Sequence, residues 1–300
     1  MCRPPETSQG TPDSVGRAGE PCPVCFRNCR PAEGELGFCR ARRMTGGQMT
    51  CDNYGRLTAL ALDPIEKKPL ARFHPGSRIL SVGSYGCSLA CPFCQNDSIS
   101  YAGPNDVQTA LVPPDRLVAM ALREKAQGNI GIAFTYNEPL VGWEYVRDTA
   151  RLAHEAGLLT VLVSNGMASR TVFDELAPYI DAMNVDLKSF QPAFYQDLLK
   201  GDLAMVKDWI RAAAEEMAAG QCHLELTTLI IPGENDSDEE MRDIAGWIAG
   251  LPGGADIPLH ISRFFPRHAM LDKKATPVRT IHRLVRVAKE QLRWVYAGNC

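Results

Sequence analysis

An α/β fold, a partial or full (βα) barrel of six to seven parallel strands behind a small Cys-rich N-terminal extension, is what this sequence predicts. Three observations predict it. From Arg78 onward, short apolar runs rich in β-branched residues alternate with amphipathic stretches, the pattern of repeated βα units. Each run is followed at once by polar or sulfur-bearing residues, and barrel strands carry their chemistry at their carboxyl ends. Seven of the eleven cysteines fall into two clusters, at 22–39 and 87–94.

The strand-like runs are 78–83, 130–136, 158–164, 182–187, 223–231 and 258–264, with a further one over 294–297. Helix-like stretches lie at 113–127, 141–156, 203–219, 237–250 and 277–292. In the first of these, Leu117, Val118, Ala121, Leu122 and Ala126 recur at helical spacing behind Pro113-Pro114-Asp115. Ahead of the barrel, residues 1–20 are polar and Pro/Gly-rich and read as a disordered tail. Residues 21–75 read as a metal-binding extension, and residues 76–300 as the barrel.

Composition narrows the function classes. The 300 residues carry 32 basic and 35 acidic side chains, a net charge of −3. That balance offers no electrostatic grip on nucleic acid or an anionic membrane. No apolar run approaches the roughly 20 residues a spanning helix needs, and the N-terminus has no apolar signal core. The expectation is a cytoplasmic protein with no nucleic-acid and no membrane partner. In a reducing compartment, clustered cysteines point to metal rather than disulfides. Cys2, Cys51, Cys222 and Cys300 stand apart and read as unpaired thiols.

Cys87, Cys91 and Cys94, spaced with three and two intervening residues, follow the 78–83 run directly. A structural zinc site takes four protein ligands, and neither a fourth cysteine nor a histidine is near in sequence. Three thiolates on a cubane cluster leave one iron open to a small molecule. Gly83 and Gly86 let the backbone wrap closely round an inorganic core. Ordinary zinc binding is the competing reading.

The C-x3-C-x2-C spacing, with Phe93 before the last cysteine, resembles the radical S-adenosylmethionine (SAM) superfamily over roughly Arg78 to Tyr296. The resemblance implies a [4Fe-4S] cluster on Cys87, Cys91 and Cys94, with SAM bound at the open iron. It also implies reductive cleavage of SAM to methionine and a 5′-deoxyadenosyl radical that abstracts hydrogen from a substrate. Asn137-Glu138-Pro139 stands where the superfamily has Gly-Gly-Glu-Pro, which implies Glu138 as acceptor for the methionine ammonium; Tyr136 and Asn137 replace the glycines. Ser164 and Asn165 look like ribose- or carboxylate-contacting groups, or equally like a Ser-Asn-Gly turn. Asp186-Leu187-Lys188 is similar to the Asp-x-Lys motif of the activating enzymes of glycyl radical enzymes, the pyruvate formate-lyase activating type. Phe93, Asn137, Glu138, Ser164, Asn165, Asp186, Lys188 and His260 are the expected cofactor-binding residues. Arg263 on the same run is a further cavity candidate.

Cys22, Cys25, Cys29 and Cys39 make a second cluster, with spacing two, three and nine. Four thiolates close a tetrahedral set on zinc or on a second iron–sulfur cluster, and spacing alone does not choose between them. This leader, with Tyr136-Asn137-Glu138-Pro139 and Asp186-Leu187-Lys188-Ser189-Phe190, resembles the radical enzymes of the AmmeMemoRadiSam system. The resemblance implies reduced flavodoxin or ferredoxin as electron donor. Its reaction is activation of a glycyl radical enzyme or modification of a small molecule or another macromolecule. A catalytically silent zinc-binding module is a more remote alternative. It leaves the polar strand ends unexplained.

Overall fold

The computed structural model describes residues 19–300. The tail expected over 1–20 lies, apart from Gly19 and Glu20, outside the described residues, as does Cys2.

The extension opens with the loop bearing Cys22 to Cys39 and folds back on a hairpin, β1 (Arg42–Thr45) and β2 (Gln48–Cys51). Gly46-Gly47 turns that hairpin with both φ angles positive, as a tight two-residue turn demands. Two short strands follow, β3 (Arg56–Leu57) and β4 (Ala59–Pro64). The barrel begins with β5 (Arg78–Gly83), whose last five residues are all buried. A single-turn helix α1 (Asp97–Ser100) and β6 (Ala110–Leu111), which pairs with β3, lie between β5 and the first long helix.

From there strand and helix alternate: α2 (Pro114–Arg123), β7 (Asn129–Phe134), α3 (Trp143–Glu155), β8 (Leu159–Ser164), α4 (Arg170–Leu176) and β9 (Ala182–Asp186). Then come α5 (Leu203–Ala218), β10 (His223–Ile230), α6 (Asp238–Ala249), β11 (Leu259–Arg263), α7 (Val278–Ala288) and β12 (Val295–Gly298). Local chemistry starts the helices where the sequence suggests. Pro114 opens α2, where its missing N–H costs nothing. The Asp202 carboxylate accepts from the N–H groups of Ala204 and Met205 to cap α5. Ser237 accepts from Glu240 N–H at the start of α6, behind three acidic residues that suit the positive end of the helix.

One eight-stranded sheet holds these units in the order β12-β11-β10-β9-β8-β7-β5-β4. All neighbours are parallel except β4, which pairs antiparallel with β5. The barrel is therefore partial, with seven parallel strands and an open gap between β12 and β4; the fully closed alternative does not form. The eighth strand comes from the extension, which is thus joined to the barrel sheet by backbone bonds. Within the run of βα units, the short α4 and a π-helical turn over Phe194–Leu199 are elements the sequence reading does not name.

The segment after β4 closes the amino-terminal end of the barrel. Glu225, fully buried on β10, accepts from the N–H groups of Ala71 (3.0 Å) and Arg72 (2.8 Å). Asn184 Nδ2 donates to Pro69 O at 2.8 Å. The opposite, carboxyl end stays open. Among the described residues no helix is long and apolar enough to cross a membrane.

Candidate active site

The carboxyl ends of β5 and β7 to β11 surround a cavity of about 280 Å³. Cys87, Cys91 and Cys94 lie on one wall. Their loop leaves β5 through Gly86, at φ +89°, where a Cβ would sit 2.4 Å from Cys39 O. Only glycine permits that approach. The loop is pinned at its start and near its middle. Cys87 N–H donates to Cys39 O (3.2 Å), and Ala90 N–H donates to Leu199 O (2.8 Å) in the π-helical turn.

The Cys87 sulfur already faces donors: the Leu89 N–H at 3.4 Å and the Asn165 Nδ2 at 3.6 Å. Burial pushes the Cys87 thiol far above its usual range and pushes Cys91 up to about 12. Buried thiols of this kind ionise only when a cationic centre takes the thiolates. Sulfurs supplied with N–H donors in a roomy cavity therefore fit the open-iron cluster that the cysteine spacing implies. Among the described residues no three His, Cys, Asp or Glu side chains converge as a site for a single ion.

Across the cavity, Glu138 follows β7 and is 3% exposed. Its Oε1 accepts from the Ser164 hydroxyl (2.7 Å) and the Leu140 N–H (3.0 Å), and its Oε2 from the Asn165 N–H (2.8 Å). Burial raises this carboxyl to about 7, against the opposing pull of those donors. A carboxylate oxygen has two acceptor positions, so Oε2 keeps one for a cationic ligand.

Asn137 fastens the turn to the cysteine loop. Its Oδ1 accepts from Ser84 N–H at 2.8 Å, and its Nδ2 donates to Tyr85 O and Gly86 O at 3.1 Å. Tyr136, where the resemblance has glycine, adopts φ +72°. A tyrosine in that conformation is strained by roughly 1–3 kcal/mol and needs outside support. Support comes from Asp63, which accepts from the Tyr136 hydroxyl at 2.7 Å, and from the Lys68 ammonium 4.8 Å from the ring centroid. Asn96 Nδ2 donates to the Tyr136 carbonyl at 2.7 Å.

Lys188 and Asp186 form an ion pair of 2.8 Å below the cysteine loop. Burial works against the Lys188 ammonium, but the neighbouring Asp186 and Cys91 hold it above the ordinary lysine range, so it stays a cation. The Tyr195 hydroxyl accepts from Lys188 N–H at 3.0 Å, and Asn235 Nδ2 donates to Lys188 O at 2.7 Å, fixing this strand end.

Phe93, Asn137, Glu138, Ser164, Asn165, Asp186 and Lys188 all line the cavity with the three cysteines. His260 is not among these lining residues. Its Nε2 lies 2.6 Å from Glu225, and its ring stacks on Tyr296 at 5.2 Å between centroids. It sits near the start of β11, one layer below the cavity, where Glu225 attracts it. Ser262, two residues on and on the same strand face, lines the cavity in its stead. Arg263 turns aside and donates to Thr276 O at 2.5 Å. Thr227, Asn96 and Ser262 are lining residues that sequence reasoning missed. The strand-face alternation that carries His260 to Ser262 was the available signal for Ser262.

An open parallel sheet with a three-cysteine loop after its first parallel strand defines the class: a partial-barrel enzyme built round an iron–sulfur site. Residues 81–245 match the Radical SAM superfamily, more than half of the chain. The chain belongs to that superfamily, and membership implies a [4Fe-4S] cluster and SAM. An uncharacterized protein of Methanocaldococcus jannaschii is 34% identical over 93% of this chain and 80% of that protein. The pyruvate formate-lyase 1-activating enzyme of Escherichia coli is 24% identical over 55% of this chain and 65% of its own length. The 4-hydroxyphenylacetate decarboxylase activating enzyme of Clostridioides difficile is 26% identical over 45% of this chain and 42% of that enzyme. Each of these two matches spans less than two thirds of the activating enzyme concerned. Among solved structures, a radical SAM methyltransferase from Sphaerobacter thermophilus shares the fold with a TM-score of 0.57 at 18% identity, covering 75% of this chain and 67% of that one.

Proposed function

We propose that this radical SAM enzyme generates a 5′-deoxyadenosyl radical and uses it to abstract hydrogen from a partner, with a glycyl radical enzyme as the favoured substrate class. When bound at Cys87, Cys91 and Cys94, the cluster supplies one electron to the sulfonium of SAM. This chain's residues do the rest. Glu138 accepts from the ammonium of the methionine moiety. The Ser164 hydroxyl and the N–H groups of Asn165 and Leu140 hold that carboxylate in place. Lys188, kept protonated by Asp186, faces anionic groups of the ligand. Phe93 and Leu229 supply apolar wall beside these polar groups.

The observation that carries this reading is the single cavity that unites the cysteine loop with Glu138, Asn165, Asp186 and Lys188. The gap between β12 and β4, with the similarity to two activating enzymes, supports a macromolecular substrate. The alternative, modification of a small molecule or of another macromolecule, is favoured by the polar floor that Thr227 and Ser262 present. Reduced flavodoxin or ferredoxin is the proposed electron donor, and the cytoplasm the proposed compartment. Cys22, Cys25, Cys29 and Cys39 are proposed as a second metal centre, of zinc or iron and sulfide.

The test is 5′-deoxyadenosine formation by the anaerobically reconstituted, reduced protein given SAM, beside the Cys87→Ala/Cys91→Ala/Cys94→Ala variant. Nucleoside from the wild type and none from the variant is expected. A protein that binds zinc at these cysteines and takes up no iron would sink the reading.

A further inference from the structure

The four N-terminal cysteines lie at 22, 25, 29 and 39, far from Cys87 in sequence. In the fold all four line one small cleft, together with Arg27 and Arg42. That cavity abuts the loop of Cys87, Cys91 and Cys94. Cys87 N–H donates directly to Cys39 O at 3.2 Å. Arg27 Nε donates to Ser88 O at 3.3 Å, and its Nη2 donates to Lys200 O. One backbone hydrogen bond therefore joins the two cysteine sets, and one guanidinium spans the space between them.

Arg42 supplies a second, independent sign. It is 3% exposed, and two of its nitrogens bind Glu144 at 2.7 and 2.8 Å. Its Nε–H is buried and has no acceptor among the described residues. A buried guanidinium N–H left without an acceptor is costly, and thiolate or sulfide in the adjoining cavity would accept it.

The placement of the thiols favours a cluster over a single ion. Among the described residues no three of them converge on a point that one ion could occupy, which suits the wider span of a cluster better than a single tetrahedral zinc.

We propose that Cys22, Cys25, Cys29 and Cys39 hold a second iron–sulfur cluster, which passes single electrons to the cluster at Cys87, Cys91 and Cys94. The inference rests on the radical SAM reading above. In each transfer a low-potential protein donor of the ferredoxin or flavodoxin class loses one electron and is oxidised. The second cluster takes that electron and is reduced. It is reoxidised as the electron moves on across the Cys39–Cys87 contact. No bond is made or broken and no proton is needed.

The full chain, isolated anaerobically, is assayed for iron, sulfide and zinc beside Cys25→Ala/Cys29→Ala and Cys87→Ala/Cys91→Ala/Cys94→Ala. About eight iron atoms per wild-type chain and about four in each variant are expected if both sets hold a [4Fe-4S] core. About four iron with one zinc in the wild type overturns the second cluster and leaves the radical SAM reading standing. Undiminished iron in the triple variant overturns that reading and the relay with it. Because a variant can lose metal by misfolding, the fully reduced wild type is also read by electron paramagnetic resonance. Two adjacent reduced clusters give signals broadened by spin coupling; one isolated-cluster signal overturns the proposal. Reduction of the Cys87 cluster by reduced flavodoxin should slow at least about tenfold in the Cys25→Ala/Cys29→Ala variant, while dithionite reduces both proteins, as electron exchange depends on access. Equal rates with flavodoxin overturn the relay.

Discussion

Asn165 touches both halves of the site: its backbone N–H donates to Glu138 Oε2 at 2.8 Å while its side-chain Nδ2 reaches Cys87 Sγ at 3.6 Å. The two contacts separate under mutation. Asn165→Ala keeps the backbone donor to Glu138 and removes the one to sulfur. An N–H···S bond stabilises the more negative, reduced cluster. Its loss of about 1 kcal/mol is expected to lower the reduction potential by about 40 mV. A potentiometric titration followed by electron paramagnetic resonance reads this directly, and an unchanged potential would refute the contact.

Binding of SAM should depend on pH through Glu138. Burial lifts this carboxyl to about 7, so it is largely protonated below that value and ionised above it. An ammonium ligand needs the ionised form. Affinity should therefore rise by about tenfold between pH 6 and pH 8, following the ionised fraction. Calorimetric titration of the loaded protein at the two pH values checks the sign, and a flat profile counts against Glu138 as acceptor. Ser164→Ala takes away one donor and should push the midpoint higher.

Tyr136→Phe tests how the left-handed turn is held. The variant keeps the ring and φ but loses the hydroxyl bond to Asp63, a carboxylate held below its usual range, against its burial, by Lys68 and Tyr136. Loss of about 1.5–3 kcal/mol is expected for a bond to a charged acceptor. Denaturant unfolding of the variant, with the wild type alongside, measures it. A midpoint within error of the wild type would show that the ring alone supports the turn.

Glu225 should govern acid stability. Although burial opposes its ionisation, His223, His260 and two backbone N–H groups bring it down to about 2. A depressed carboxyl stabilises the fold above its unfolded value, and the contribution fades as pH falls through the folded one. The loss should thus run from about pH 4 to pH 2, with a size of about 3 kcal/mol. Glu225→Gln should cost a similar amount at neutral pH and flatten that slope in thermal melts. A variant as acid-sensitive as the wild type would place the transition elsewhere.

Most strands and helices were readable because their signals are local. The run 78–83 is β5 residue for residue, and 182–187 and 223–231 overrun β9 and β10 by one residue each. The apolar, two-sided burial of parallel strands writes itself into consecutive residues. The π-helical turn at Phe194–Leu199 was not readable, since its contact with Ala90 comes from a distant segment. Tyr136 and Asn137 stand where the resemblance has two glycines. The structure shows Tyr136 in a left-handed conformation and Asn137 supplying three hydrogen bonds to the cysteine loop.

His260 shows the limit from the other side. A histidine on a strand near the mouth of a barrel invites a ligand role, but its partner Glu225 lies 35 positions away on the neighbouring strand. Alternation along a strand decides which face a side chain takes; it does not decide whether the side chain leans toward the open or the closed end. That choice follows from where the nearest buried carboxylate lies.

By itself the sequence determined the order of βα units and the two cysteine loops. Spacing within eight residues sets what a short loop can wrap. Tertiary structure alone decided that the sheet stays open, that Glu138 is gripped by Ser164 and Asn165, and that Cys39 meets Cys87. These contacts join residues 26 to 48 positions apart, and their existence depends on strand register and packing, which no local pattern encodes.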